Sequence, residues 1–288
     1  MDTSFGLVLG GTEAVQVASP SDLPSDLLET LQRATRIVVF TGAGMSKDSG
    51  LDTFRDAQTG IWENLNPQDM ASLDSWARDP DPMYAWYQWR GHICNNAQPN
   101  PGHHAITEWQ SGEWAGARGV QLKTVTQNVD NLHERAGTTN VTHLHGSLFT
   151  YRCSICHKPA RTPEFPTTQH DRITPPNCSL CGNPIRPGVV WFGEPLPPKD
   201  WDAADQAMQN AELVVIVGTS GVVYPAAGLP AYAKEHGAKI LEISPERTDL
   251  TSITDWSLRA TAAEGLPWIV DAARGDDAHG EDPHGAGE

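Results

Sequence analysis

The chain has 288 residues, enough for one large domain or one domain carrying an inserted module. Its formal charge of -16 argues against broad binding to a nucleic-acid backbone, and no apolar run approaches the roughly 20 residues of a membrane helix. Nothing basic precedes Phe5-Gly-Leu-Val-Leu9, so a secretory signal is not expected, and a cytoplasmic enzyme is.

Residues 1–24 combine an apolar patch with Ser19-Pro-Ser-Asp22 and Pro24, and read as a strand or an arm on the main domain. Asp26 to Arg33 has helical spacing. Ile37 to Phe40 is a β-branched, apolar run of the kind found in buried parallel strands. It runs into Thr41-Gly42-Ala43-Gly44, where small residues would let backbone N–H groups approach a ligand. Ser46 and Ser49 would start and cap a short helical turn whose dipole favours a phosphate. Strand, glycine turn and helix start together suggest a dinucleotide pyrophosphate site, although the spacing is not GxGxxG.

Residues 51–108 change character. Trp62, Trp76, Trp86, Tyr87 and Trp89 lie among short polar turns, and Pro80 and Pro82 precede an aromatic helix from Met83 to Cys94. A helical insertion packed on a sheet is expected. The βα pattern then returns with a strand at Leu122–Thr126 that ends in Gln127-Asn-Val-Asp130. A second strand, Asn140 to Gly146, would present His145 at its end, with His143 one step deeper on the same face. Leu213–Val217 is a buried strand ending in Gly218-Thr-Ser220, and Lys239–Ile243 ends in Ser244-Pro245. Helical stretches at 202–211 and 226–236 would supply right-handed crossovers. Five strands thus end in small or polar residues, where open α/β sheets bind ligands. Residues 275–288 read as a disordered acidic tail.

Cys153, Cys156, Cys178 and Cys181 form two C-x-x-C pairs separated by 21 residues, the spacing of a zinc ribbon. Two disulfides would use the same residues, but nothing indicates an oxidising compartment. One structural zinc with four protein ligands, and no open position for chemistry, is expected. Cys94 reads as a free, partly buried thiol. Of the polar residues at strand ends, His145 is the candidate base, beside Asn128, Asp130, His133 and His143.

The residues Gly42-Ala-Gly-Met-Ser46, Ser49-Gly50, Phe54-Arg55, Thr126 to His133, Ala136-Gly137, His145-Gly146, the paired C-x-x-C, Arg186 to Glu194 and Gly218-Thr-Ser220 resemble the sirtuin pattern over about residues 25–270. Sirtuins are NAD-dependent protein lysine deacylases. The resemblance implies a Rossmann-like large domain from residues 1–56, 109–150 and 186–274. The helical insertion 57–108 and the zinc module 151–185 would form a small domain. NAD and an acyl-lysine protein or peptide would enter the cleft between them.

Carried onto this chain, the resemblance places Ala43, Gly44 and Ser220 along the pyrophosphate and ribose path, with Gly42, Gly218, Thr219, Ser244 and Ala262 nearby. Gln127 would hold the nicotinamide ribose, and Asn128 and Asp130 the carboxamide. Phe54 would shield the reactive ribose carbon, and Arg55 would sit in a mobile cofactor loop. His145 would take a proton from the ribose hydroxyls, giving nicotinamide, free lysine and O-acyl-ADP-ribose. Val189 to Glu194, including Val190, Phe192 and Gly193, and Gly221 to Tyr224, including Val222, would pair with the substrate backbone as an added strand. Three positions depart from the pattern: Asp52 stands where proline is usual, Asp56 where glycine often follows Phe-Arg, and Ser244 where many members have asparagine.

Tyr87 and Arg90 are three residues apart on a helix. A Tyr-x-x-Arg here resembles the sirtuin subgroup that removes succinyl, malonyl and glutaryl groups. Desuccinylation with weaker deacetylation is therefore expected. Mono-ADP-ribosyltransfer and a non-catalytic NAD-sensing module are the alternatives, and the sequence leaves the oligomeric state open.

Overall fold

The structure is a computed structural model, and it describes residues 5–9, 15–19, 22–51 and 69–275. In chain order the elements are β1 (Phe5–Leu9), β2 (Val15–Val17), α1 (Ser25–Arg33), β3 (Arg36–Thr41), α2 (Leu73–Arg78), α3 (Pro80–Asn96), α4 (Pro101–Ser111) and α5 (Glu113–Ala117). They continue with β4 (Gln121–Thr126), α6 (Leu132–Ala136), β5 (Thr142–His143), β6 (Gly146–Cys153), β7 (Pro159–Ala160) and β8 (Ile185–Val189). The last are α7 (Pro198–Asn210), β9 (Leu213–Val217), α8 (Leu229–Glu235), β10 (Lys239–Ile243), β11 (Trp256–Arg259) and α9 (Ala262–Arg274).

Eight strands form one sheet in the order β2-β1-β11-β10-β9-β3-β4-β5. The six strands from β11 to β5 pair in parallel, while β1 and β2 add an antiparallel edge. Side chains alternate across this sheet as a pleat requires. Ile37 and Val39 of β3 pack on one face with Leu27, Leu31, Ile106 and Ile269. Val38 and Phe40 pack on the other with Ala204, Met208 and Leu229. Both faces are covered by helices, which is why these strands read as unbroken apolar runs.

Strand order runs outward in two directions from the pair β3 and β9, so their carboxyl ends flank a topological switch point. The segments that follow them diverge there and leave a crevice. A second sheet, β7-β6-β8, is antiparallel. With α2 and α3 it builds a separate aromatic core that includes Trp76, Tyr84, Trp86, Tyr87, Tyr151 and Trp191.

Several expectations are corrected. The α3 helix begins at Pro80, so both prolines lie in its first turn, where a missing N–H costs nothing. The strand expected over 140–146 shrinks to the two residues of β5. The boundary drawn at 108 and 109 falls inside α4, whose Ala105, Ile106 and Trp109 pack with the large sheet. The N-terminal patch is the hairpin edge β1–β2, and β11 and α9 complete the sheet. The acidic tail from Asp276 onward lies outside the described residues.

Candidate active site

A cleft of about 1440 Å³ opens at the carboxyl ends of β3, β4, β9 and β10, between the large sheet and the aromatic core. Gly42, Ala43, Gly44, Gln127, Asn128, Asp130, His145, Gly218, Thr219, Ser220, Ser244 and Ala262 all line it. Tyr87, Arg90, Val190, Phe192, Gly193, Glu194, Val222 and Tyr224 line the same cleft. Phe54 and Arg55, like Asp52 and Asp56, lie outside the described residues.

The glycine turn is built for backbone contact across the switch point. Gly42 N–H donates to Val217 O at 3.0 Å and Gly44 N–H to Gly218 O at 2.8 Å. A Cβ on Gly44 would lie 2.7 Å from Gly218 Cα, and Gly218 itself has a φ of 59°. These two glycine N–H groups are therefore occupied by the protein. Ala43 N–H, which has no backbone partner among the described residues, is the one left for a ligand. A 3₁₀ turn follows at Ala43–Ser49, but Gly42 occupies its N-cap and Ser46 does not cap it. The Ser46 hydroxyl instead donates to Asp130 Oδ2 at 3.0 Å.

Asp130 is buried, and its second carboxylate oxygen accepts Leu132 N–H at 3.0 Å. Burial pushes its pKa above the usual carboxylate value. Asn128 donates from Nδ2 to Gly42 O at 3.0 Å, which ties the loop after β4 to the glycine turn. Gln127 Nε2 donates to Thr219 Oγ1 at 2.9 Å, tying it to the loop after β9. These three side chains thus bridge all the loops of the switch point.

His145 Nδ1 lies 3.0 Å from Gln127 O. A carbonyl can only accept, so Nδ1 carries the hydrogen and Nε2 keeps its lone pair. Burial lowers the pKa of this ring below 6.5, which keeps it neutral at pH 7. His143 does not share its surroundings. Its Nδ1 is 2.9 Å from Asn128 O and its Nε2 is 2.7 Å from Glu134 Oε1. Both partners accept only, so both nitrogens carry hydrogen and the ring is an imidazolium clamp with no lone pair to offer.

On the other wall, Tyr87 is buried and its hydroxyl oxygen accepts Trp191 Nε1–H at 2.9 Å. The Arg90 guanidinium lies over the Trp86 ring, 4.9 Å from its centroid. Arg90 has no acidic partner among the described residues. The stretch expected to pair with a peptide has fewer free donors than its length suggests, because Val190 N–H donates to His145 O, Phe192 N–H to Ala71 O and Glu194 N–H to Trp191 O. The carbonyls of Val189 and Trp191 are taken as well, by Arg186 and Glu194 N–H, so Gly193 N–H is the backbone donor of this stretch that has no partner among the described residues. Phe192, Val222 and Tyr224 are exposed at 49%, 39% and 73%, an apolar rim around the opening.

The four cysteine sulfurs lie within 4.8 Å of one another. Two pairs are 3.4 and 3.7 Å apart, between Cys153 and Cys181 and between Cys156 and Cys178. A tetrahedral zinc with Zn–S near 2.3 Å sets sulfurs about 3.8 Å apart, so the cluster fits one ion. The N–H groups of Ile155 and Leu180 each point at a sulfur at 3.4 Å, supporting thiolate charge. Cys94 is a free, buried thiol.

Residues missed by sequence reasoning include Asn100, which donates to Met45 O at 2.9 Å and Ser49 Oγ at 3.0 Å and so braces the glycine turn. Trp191 is another. Both act over 51 or more residues of separation, beyond any local pattern.

A profile of the Sir2 family matches residues 42–225. A protein of Corynebacterium efficiens named NAD-dependent protein deacylase 2 is 58% identical over 238 residues, covering 82% of this chain and 92% of its own. The NAD-dependent protein deacylase of Corynebacterium glutamicum is 52% identical over 244 residues, covering 84% and 93%. The crystal structure of a Sir2 homolog–NAD complex superposes with a TM-score of 0.78 at 41% identity, covering 88% of this chain and 94% of that one. With the family profile spanning most of the chain, and relatives this similar over most of their own length, the chain belongs to the Sir2 family.

Proposed function

We propose that this Sir2-family enzyme, an NAD-dependent protein deacylase, acts by preference on lysines whose acyl group ends in a carboxylate, succinyl above all. The observation that carries this preference is Arg90. Its guanidinium lines the cleft beside Tyr87 and has no acidic partner among the described residues. A carboxylate can be held there bidentately, with the phenol adding a hydrogen bond. A methyl group in the same place would leave both donors unanswered.

Bound NAD supplies an electrophilic ribose carbon with nicotinamide as its leaving group. Asn128 and Asp130 would orient the carboxamide. Asp130, whose oxygens accept from Ser46 and Leu132, has lone pairs left to accept from the carboxamide N–H groups. Gln127 and Ser220 would hold the riboses, and Ala43 N–H the pyrophosphate. His145 Nε2, with its lone pair free, would take the ribose proton as the acyl oxygen is engaged. The substrate peptide would lie along Gly193 and Val222, under the apolar rim. The cysteine cluster would hold zinc as a structural support, since four protein ligands leave it no open position.

The test is an assay with NAD labelled on the adenylate side and a succinyl-lysine peptide. Label in O-succinyl-ADP-ribose, with equimolar nicotinamide, is the expected outcome. Label fixed on protein would instead make the chain a mono-ADP-ribosyltransferase. NAD bound but unconverted would make it a non-catalytic sensor.

A further inference from the structure

The donor in the hydrogen bond between Trp191 and Tyr87 is fixed by chemistry. An indole N–H can only donate, so at 2.9 Å the Tyr87 oxygen accepts and its own hydrogen must point elsewhere. No acceptor for that hydrogen is found among the described residues, and Tyr87 is buried at the cleft wall. A buried O–H without a partner is costly, so among the described residues the phenol is a donor still to be answered.

Trp191 is itself held in place from three sides. The Arg186 guanidinium carbon sits 3.1 Å from its ring centroid, and the Trp76 ring lies 5.2 Å away on another side. Arg186 is buried and pairs bidentately with Glu194 at 2.7 and 3.0 Å, while also donating to Val189 O at 2.9 Å. Glu194 Oε2 in turn accepts Trp191 N–H at 2.8 Å. A cation against the indole face draws electron density from it and makes Nε1–H a stronger donor. The carboxylate of Glu194 is thus spent on this frame rather than on substrate.

We propose that Trp191, braced by the Arg186–Glu194 pair, is a positioning residue for acyl selectivity: by donating to Tyr87 it turns the phenol into a hydrogen-bond donor toward the acyl carboxylate. It rests on the assignment of Tyr87 and Arg90 to the acyl group made above. Without the indole donor, the acceptor site that Trp191 fills on the phenol oxygen is open to Arg90, which turns one guanidinium N–H away from the acyl carboxylate. With it, phenol and guanidinium remain two donors converging on one anion. A neutral acyl group offers neither of them an acceptor. Selectivity therefore depends on a residue 104 positions away from the tyrosine it controls.

The experiment measures kcat and KM separately on succinyl- and acetyl-lysine peptides at saturating NAD. Its variants are Trp191→Phe, Tyr87→Phe, Arg90→Met and the double Trp191→Phe/Tyr87→Phe. Phenylalanine keeps a ring between Arg186 and Trp76 and removes the donor together with part of the indole volume. Benzothienylalanine at 191, the same shape with sulfur for N–H, serves if the phenylalanine variant folds poorly. Trp191→Phe should lower the succinyl-to-acetyl ratio of kcat/KM about tenfold, mainly through KM for the succinyl peptide, as loss of one hydrogen bond to a charged group implies. The double variant should be no worse than Tyr87→Phe alone. Selectivity lost in Arg90→Met and Tyr87→Phe but kept in Trp191→Phe would overturn this proposal alone, as would independent, multiplying effects in the double variant. A wild type without succinyl preference, or an Arg90→Met variant that keeps it, would overturn the assignment of the acyl site and this proposal with it.

Discussion

His103 and His133 meet edge to face in the core, ring centroids 5.0 Å apart and planes at 61°. His103 Nδ1 accepts Asn100 N–H at 3.2 Å, so its hydrogen is on Nε2, which has no partner among the described residues. Thr41 donates to Thr126 at 2.8 Å and so accepts from His133 Nε2, leaving His133 Nδ1 without a partner among the described residues. A proton added to either ring would find no acceptor. Burial accordingly lowers His103 to about 4 and holds His133 well below 6.5.

This pair predicts an acid slope in stability. Unfolded, both rings take up protons near pH 6.5, whereas folded His103 does so only near about 4. Between those values the unfolded chain binds more protons, so stability falls as pH drops through this window, by up to about 3 kcal/mol for His103 alone. Denaturant unfolding from pH 7 to 4.5 should show a shallower slope in His103→Gln than in the wild type. Equal slopes would remove the pair from the account.

For His145, the proposed base, the expectation concerns rate. His145 must be neutral, and its pKa lies below 6.5, so kcat/KM should be flat above that pH and fall below it. His145→Ala should retain NAD binding and lose at least about 10²-fold in turnover. Near-normal turnover in that variant, or an acid limb centred above pH 7, would displace His145 as the base.

The switch point can be tested by adding one methyl group. In Gly218→Ala the new Cβ would meet Gly44 C and Met45 N at 2.5 Å, on a residue whose φ is 59°. Overpacking of backbone against backbone should cost about 2–3 kcal/mol in stability and weaken NAD binding at least about tenfold. Gly50→Ala has a φ of 80° but open space around it, so only the backbone strain of about 1–2 kcal/mol applies. Calorimetric titration of NAD into both variants checks the difference, which should be large for Gly218 and small for Gly50.

The cysteine cluster predicts one zinc per chain by elemental analysis. Chelation, or Cys178→Ser, should unfold the region around β6, β7 and β8, because metal binding and folding are coupled in such sites. Hydrogen exchange would localise the loss there while β3 and β9 remain protected. Two disulfides by mass spectrometry, with no metal, would contradict it.

The parallel core was legible in the sequence because its strands are buried on both faces. Val38 and Val39 look alike in the sequence although they point to opposite cores. What escaped was whatever lacked that signature. Trp256-Ser-Leu-Arg259 mixes polar and apolar residues because Ser257 and Arg259 both serve buried Glu242, at 3.0 and 3.1 Å. The α9 helix carries Gly265 and Pro267 inside it, and both argue locally against a helix. Gly265 is there because a Cβ would strike Ile243 at 2.7 Å, a tertiary reason that no local pattern carries. The strand at 140–146 was over-extended because β5 is the sheet edge, where pairing ends after two residues.

Within the site, the convergence of His145, Asn128 and Asp130 on one cleft, and the clustering of the four cysteines, were legible from spacing and resemblance. Their partners were not. The glycine N–H groups looked like ligand donors, yet two of them are consumed by the loop across the crevice. Glu194 was expected to pair with the substrate backbone, and its N–H donates to Trp191 O while its carboxylate is held by Arg186. Such assignments depend on which of several possible partners is nearest, and only the folded chain decides that.

The most direct measurement of the central claim is kcat/KM with NAD for one peptide carrying succinyl-lysine and the same peptide carrying acetyl-lysine, in wild type and Arg90→Met. The wild type should favour the succinyl peptide, and Arg90→Met should lose about 2–5 kcal/mol of that discrimination, as expected when one member of a buried charge pair is removed. Equal turnover of the two peptides by the wild type would return Tyr87 and Arg90 to a packing role and contradict the account.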